Sequence, residues 1–190
     1  EFENVRIRGT LSTAVFEKET VNAVGGQLYV ANSTALSQSS VTATDTTMSV
    51  DNSSGFVANE ILSIKKVHDT GFNTEYIKVQ SASRNSPASD TDLSGKLYVV
   101  RGYSGSVPTT TSSLGDAAGA ATTYEPGQVL VSTGKSGSGY IRLNANPSDI
   151  TTPYIDIVER TGSAIYDVSL KARLGDLSGL SSAQVGGSPG

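Results

Sequence analysis

The residues able to do chemistry are few and scattered. His68 is the only histidine, and the chain has no cysteine. Thiol chemistry, disulfides and thiolate-held metals are excluded, and so is any site needing two histidines. His68 follows Lys65-Lys66-Val67 and precedes Asp69-Thr70-Gly71. A Ser-His-Asp relay needs a nucleophile held against the imidazole. Serine is abundant, but no Gly-x-Ser-x-Gly elbow sits between a strand and a helix. The plainer reading is a loop histidine beside a turn. Gly134-Lys135-Ser136 has the ending of a phosphate-binding loop, yet Gly127 lies two residues too far upstream. Gly137-Ser138-Gly139 follows, where a helix would be needed to aim its dipole at a phosphate. A hairpin turn fits better.

The carboxylates are no more convergent. Asp149, Asp156 and Glu159 lie near one another in sequence, and paired carboxyl groups hydrolyse glycosidic bonds. Three residues apart on an unbroken strand, Asp156 and Glu159 face opposite ways. Asp156 alternates with Ile155 and Ile157, so it is expected to point out of the sheet, away from the core. There it would be a solvated charge paired with Arg142 or Arg160. Asp45, Asp51 and Asn52 offer oxygens for Ca²⁺, without the Asp-x-Asp-x-Asp-Gly spacing. Asn32-Ser33-Thr34 and Asn52-Ser53-Ser54 match the glycosylation sequon, as chance allows in a chain rich in Ser, Thr and Asn. No catalytic, cofactor-binding or metal-ligating residue is assigned, no cofactor is expected, and the chain is read as non-enzymatic.

The elements that would position any site are strands. The 190 residues suffice for one large domain or two small ones. Hydrophobic residues make up 36% and charged residues 17%, both low, with Ser, Thr, Asn and 20 Gly filling the gap. Ser and Asn compete with helical hydrogen bonds, while Thr and Val suit strands. The net charge of −4 comes without any cluster of Lys or Arg, so the electrostatic footprint for nucleic acid or anionic lipid is missing. No apolar run reaches the length of a spanning helix. Glu1-Phe2-Glu3-Asn4 does not read as a signal peptide. Gly186-Gly187-Ser188-Pro189-Gly190 reads as a loop, which suggests an internal segment of a longer polypeptide.

Period-two runs bounded by turn residues recur along the chain. Val5 and Ile7 make the first, and Leu28 and Val30 the second, after Gly25-Gly26. Residues 46–50, 61–64 and 76–79 follow. Residues 97–100 are mostly apolar and are expected to be buried on both faces. Residues 129–131, 140–143, 154–158 and 168–174 complete the series. Polar loops are expected at 81–94 and 104–121. The fold expected is all-β, with elongated sandwich or barrel segments of short strands. Residues 1–38 and 128–190 would form a scaffold around a small inserted barrel at 39–127.

The middle region resembles a small β-barrel pattern of phage virion proteins. The residues that carry it are Thr46-Thr47-Met48-Ser49-Val50-Asp51, then Gly55-Phe56-Val57-Ala58-Asn59-Glu60-Ile61-Leu62-Ser63-Ile64. Thr74-Glu75-Tyr76-Ile77-Lys78-Val79 follows, and then Leu97-Tyr98-Val99-Val100-Arg101-Gly102-Tyr103-Ser104-Gly105-Ser106. Asn59-Glu60 stands where the pattern has a Gly-Asp type of turn. On the flanks, Val5-Arg6-Ile7-Arg8-Gly9-Thr10-Leu11-Ser12-Thr13, Gly139-Tyr140-Ile141-Arg142-Leu143-Asn144-Ala145 and Pro153-Tyr154-Ile155-Asp156-Ile157-Val158-Glu159-Arg160-Thr161-Gly162 are similar to bacteriophage tail-fibre and tail-tip segments. So, most specifically, is Leu170-Lys171-Ala172-Arg173-Leu174-Gly175-Asp176-Leu177-Ser178-Gly179-Leu180. The resemblance implies a structural virion protein located in the extracellular tail. It implies an elongated homotrimer whose partners are identical chains and other tail proteins, with a host cell-surface receptor as a further partner. A receptor-binding adhesin, a capsule depolymerase and a bacterial surface-layer protein are the competing readings.

Overall fold

The computed structural model describes residues 26–68, 71–103, 121–147 and 149–180. The expected strand at Val5 and Ile7, most of the expected loop at 104–121 and the Gly-rich end at 186–190 lie outside them. All the strand pairs are antiparallel, and no helix occurs among the described residues. The protein is all-β, as the period-two pattern predicts.

Two sheets share the strands. One holds β1 (Gln27–Val30), β8 (Gly139–Asn144), β9 (Tyr154–Arg160) and β10 (Val168–Gly175), in the order β1-β8-β9-β10. The other holds β2 (Ser33–Ala35), β3 (Thr47–Val50), β4 (Ile61–His68), β5 (Gly71–Arg84), β6 (Gly95–Val100) and β7 (Val129–Ser132), in the order β2-β7-β4-β5-β6-β3. The six strands of the second sheet fall in sequence between β1 and β8, which pair directly. Its strands begin at Ser33 and end at Ser132, so they reach beyond the expected limits of 39–127 on both sides.

The six-stranded sheet curls into a nearly closed barrel. Leu36 bridges Val50 across the gap between β2 and β3. Ser37 N donates to Ser49 O (2.9 Å) and Asp51 N to Ala35 O (3.0 Å). Closure satisfies edges that would otherwise template aggregation. Met48, Val50, Leu62, Ile64, Ile77, Val79, Leu97, Val99 and Leu130 fill the interior. A bulge between Val79 and Ser81 bends β5, so that this 14-residue strand can pair with β4 along its first half and β6 along its second. The loop expected from residue 81 therefore starts after Arg84, whose Nη2 donates to the carbonyls of Ser89 and Asp92 within it. Residues 97–100 are not buried on both faces. Leu97 and Val99 point inward, while Lys96, Tyr98 and Val100 stand on the outer wall. Among the described residues no second layer lies over β6, so alternation prevails despite the apolar run.

One end of the barrel is tied by a buried ion pair. Arg101 donates from Nε to Glu75 Oε1 (2.7 Å) and from Nη2 to Oε2 (3.0 Å), a bidentate grip. Its remaining N–H groups reach the carbonyls of Thr42 (2.6 Å) and Thr122 (2.7 Å). Gly102 N also donates to Glu75. The Arg-Gly exit seen in the sequence thus fastens the point where the chain leaves the barrel. Asn59 adopts a positive φ of 72° in the turn before β4. Beside it the buried Glu60 accepts from Val57 N and Ser132 Oγ, both at 2.9 Å.

The four-stranded sheet lies against the outside of the barrel. Arg160, 1% exposed, reaches across with Nε to Thr133 O (3.1 Å) and Nη2 to Thr133 Oγ1 (2.8 Å). Nη1 donates to Ala164 O (2.6 Å). Burial pulls its pKa down, partly offset by the phenols of Tyr140 and Tyr76. Ile61, Tyr76 and Ile165 form a small second core at this seam, and Tyr103 Oη donates to Ser163 O (2.6 Å).

Candidate assembly surface

Alternation in the four-stranded sheet separates two chemistries. Along β8, Tyr140, Arg142 and Asn144 share one face, and Ile141 and Leu143 the other. Along β9, Tyr154, Asp156, Val158 and Arg160 are buried, while Ile155 and Ile157 are exposed. The buried face is the polar one, because it is the face that meets the barrel. A space between the sheets is lined by Tyr29, Tyr140 and Arg160 from one side and by Ser63, Thr74, Tyr76 and Thr133 from the other. Burial raises the Tyr140 phenol to about 12, with Tyr29 beside it adding to the shift.

At the centre of this buried face is Asp156, 1% exposed. Arg142 and Arg173 flank it on β8 and β10, in register with it. Arg142 Nη2 donates to Oδ2 at 2.9 Å. Arg173 donates from Nε to Oδ1 (2.6 Å) and from Nη2 to Oδ2 (2.9 Å). The Arg173 guanidinium also lies over the Tyr154 ring, 3.6 Å from its centroid, and Tyr154 Oη accepts from Asn144 Nδ2 at 2.9 Å. Burial by itself would lower the Arg142 pKa, but the bond to Asp156 together with the neighbouring Tyr154, Tyr29 and Tyr140 outweighs it and the net shift is upward. The bond to Asp156 raises Arg173 as well. A carboxylate sealed this way costs several kcal/mol in desolvation, which the two cations must offset. Asp156 is therefore no solvated charge. It pairs with Arg142 as expected and with Arg173, which the sequence reading missed, while Arg160 is engaged at the barrel instead.

The opposite face is aliphatic and open. Strand register aligns it in two rows. Leu28, Leu143, Ile155 and Leu174 lie side by side across the four strands. Val30, Ile141, Ile157 and Ala172 form the next row. Such cross-strand neighbours stand close enough to present one continuous surface. Ile157 remains 48% exposed, Val30 53% and Leu174 72%. The first row lines an apolar groove of about 490 Å³ whose rim includes Ala145 and Pro153. Past the second row the face turns polar, where Lys171, at a bulge in β10, pairs with Glu159 at 2.6 Å. Ile155 (39%) and Ile141 (37%) are exposed as well, so both rows stand open to solvent.

The remaining candidates from the sequence stay apart. His68 closes β4 opposite Gly71, and Asp69 lies outside the described residues. Gly134-Lys135-Ser136 is a turn, with Lys135 N donating to Ser138 Oγ and Ser138 N returning to Lys135 O. Asp45 and Asp51 sit at opposite ends of β3. Glu159 faces away from Asp156, and Asp149 is engaged by Thr151, whose hydroxyl and amide hold its carboxyl below the usual range. Tyr76, Tyr124, Tyr140 and Tyr154 are buried, whereas Tyr98 stands exposed on the barrel wall. Compared with models of known protein families, with curated proteins and with solved structures, the chain matches none.

Proposed function

We propose that this chain is a structural segment of a bacteriophage tail fibre, acting as a homotrimer in which the apolar faces of three four-stranded sheets meet along a common axis. One observation carries the reading: the sheet buries its charges and exposes its aliphatic side chains. A monomer with only the barrel to pack against would gain by turning Ile141, Leu143, Ile155 and Ile157 inward. A slip of one residue in register would do it, because side chains alternate faces. Asp156, Arg142 and Arg173 would then be solvated at no cost. The observed orientation makes sense where the outer face is covered by something apolar.

Identical chains are the occupant that fits. A standard interface buries about 800 Å² per partner, some 60% of it apolar. The apolar part of such an interface would come from Val30, Ile141, Ile155, Ile157 and Leu174, all exposed on this one face. The barrel, whose core closes without help, would then hang to the side of the shaft. The similarity of 139–145, 153–162 and 170–180 to tail-fibre segments supports placing that shaft in a virion, and those residues include most of the assembly sheet. Mechanism here is mechanical: covered aliphatic rows give cohesion, and the sealed Arg-Asp-Arg ladder stiffens the sheet that bears them.

Gold-labelled antibody against the chain should decorate the tails of phage particles released by the strain that carries its gene. Label confined to the wall of phage-free cells would contradict this and point to a bacterial surface-layer protein.

A further inference from the structure

We infer that the seam between the barrel and the four-stranded sheet binds a single monatomic anion, chloride or a like halide, between the Arg160 guanidinium and the Tyr140 hydroxyl. The site lies within one chain and stands apart from the assembly reading. Arg101 grips Glu75, and Arg142 and Arg173 share Asp156. Arg160 is buried to 1% exposure, yet among the described residues no carboxylate stands within ion-pair distance of it. Its donors go to neutral oxygens, the carbonyls of Thr133 and Ala164 and the Thr133 hydroxyl. Asp167, whose field reaches it, is exposed and accepts from the Ala164 amide. A buried cation that meets only neutral groups keeps most of its desolvation cost.

Two donors are left over at the same place. Arg160 Nη2 carries two N–H groups, and Thr133 Oγ1 takes one of them. Tyr140 is 5% exposed, and its hydroxyl makes no hydrogen bond to any described residue. A buried phenol ordinarily finds a partner. Both side chains line the space between the sheets. Lys65 adds a second cation to that lining, Ser63 a hydroxyl, and no carboxylate is among its described residues. Positive charge with spare N–H and O–H donors selects an anion. The centre of a water-sized sphere has about 10 Å³ to move in there. One sphere somewhat larger than water therefore fits, and a polyatomic oxyanion does not.

The position of the site gives the anion a task. Tyr140 and Arg160 belong to β8 and β9 of the four-stranded sheet, and Ser63 to β4 of the barrel. One ion among them couples the docking of the two sheets to halide. It supplies to Arg160 the negative charge that Asp156 supplies to Arg173. The contrast between those two arginines agrees, since burial holds the Arg160 pKa below its usual value and the bond to Asp156 raises that of Arg173. An ion bound by the folded chain and not by the unfolded one stabilises the fold by mass action.

Replacing gluconate by chloride at constant ionic strength should raise the melting temperature of the intact chain by about 2–4 °C, levelling off as the site fills. Bromide should do the same. Tyr140→Phe keeps the ring and removes the hydroxyl, so it should need about tenfold more chloride for the same rise. In crystals of the wild-type chain grown with bromide, an anomalous peak should lie between Arg160 Nη2 and Tyr140 Oη, a result that holds even if the variant folds poorly. A melting temperature indifferent to halide, an equal response from Tyr140→Phe, or density at that place without a bromide signal, the mark of a water, would overturn the proposal. None of these outcomes bears on how many copies assemble, so the site and the trimer stand or fall separately.

Discussion

Asp156→Ala should cost the protein about 3–5 kcal/mol and unravel the four-stranded sheet before the barrel. Removing this carboxylate leaves two guanidinium groups facing each other in a sealed space, since Arg142 and Arg173 both spend their charge on it. The loss far exceeds that of a surface ion pair, which rarely reaches 1 kcal/mol. Thermal or urea denaturation measures the drop. Amide hydrogen exchange locates it, with protection lost in β8, β9 and β10 and kept in β4 and β5. The barrel core contains none of these residues and should hold. A second variant separates charge from shape. Replacing all three partners together, Arg142→Met, Asp156→Leu and Arg173→Met, removes the buried charges with their desolvation cost and should recover most of the stability. If Asp156→Ala unfolds no more readily than the wild type, Asp156 is solvated after all and the sheet does not lie as described.

The second large effect is on assembly rather than folding. Ile157→Lys places an ammonium in the middle of the second aliphatic row, beside Ile141 and Ala172. In an isolated chain this residue is half-exposed, so its own fold should change by no more than about 0.5 kcal/mol. In an interface the charge would be stripped of water with no partner, and an anchor lost this way costs 2 kcal/mol or more. Association should weaken by about thirtyfold or more. Tyr98→Lys, on the outer wall of the barrel, provides the control and should leave association unchanged. Light scattering across a dilution series reads both variants. Equal association by Ile157→Lys and wild type would mean that the aliphatic rows touch nothing.

These two residues mark how far the sequence could be read. Alternation placed the strands at 28–30, 46–50, 61–64, 76–79, 97–100, 129–131, 140–143, 154–158 and 168–174, and each lies on or overlaps a strand. It missed β2, because Ser33-Thr34-Ala35 has no apolar alternation. That strand is held from outside, by pairing with β7 and by Thr34 Oγ1 accepting from Asn52 N. The far half of β5 reads as loop in the sequence because Ser81, Ala82 and Ser83 are small or polar, and only the cross-strand partner β6 makes them strand. Asp156 is the most instructive. Period two says that Asp156 and Ile157 face opposite ways. It does not say which face is covered. Charge out and aliphatic in is the ordinary assignment, and here the charged side is the buried one. The partners of Asp156 lie 14 and 17 residues away along the chain, so only the strand register brings them together. Arg173 could have been suspected from its place in an alternating run.

Sedimentation equilibrium of the intact chain tests the whole account most directly. A particle of about three times the 19.6 kDa chain mass, dissociated by Ile157→Lys, is the result predicted. A single 19.6 kDa species persisting at high concentration, its aliphatic rows open to water, would contradict it.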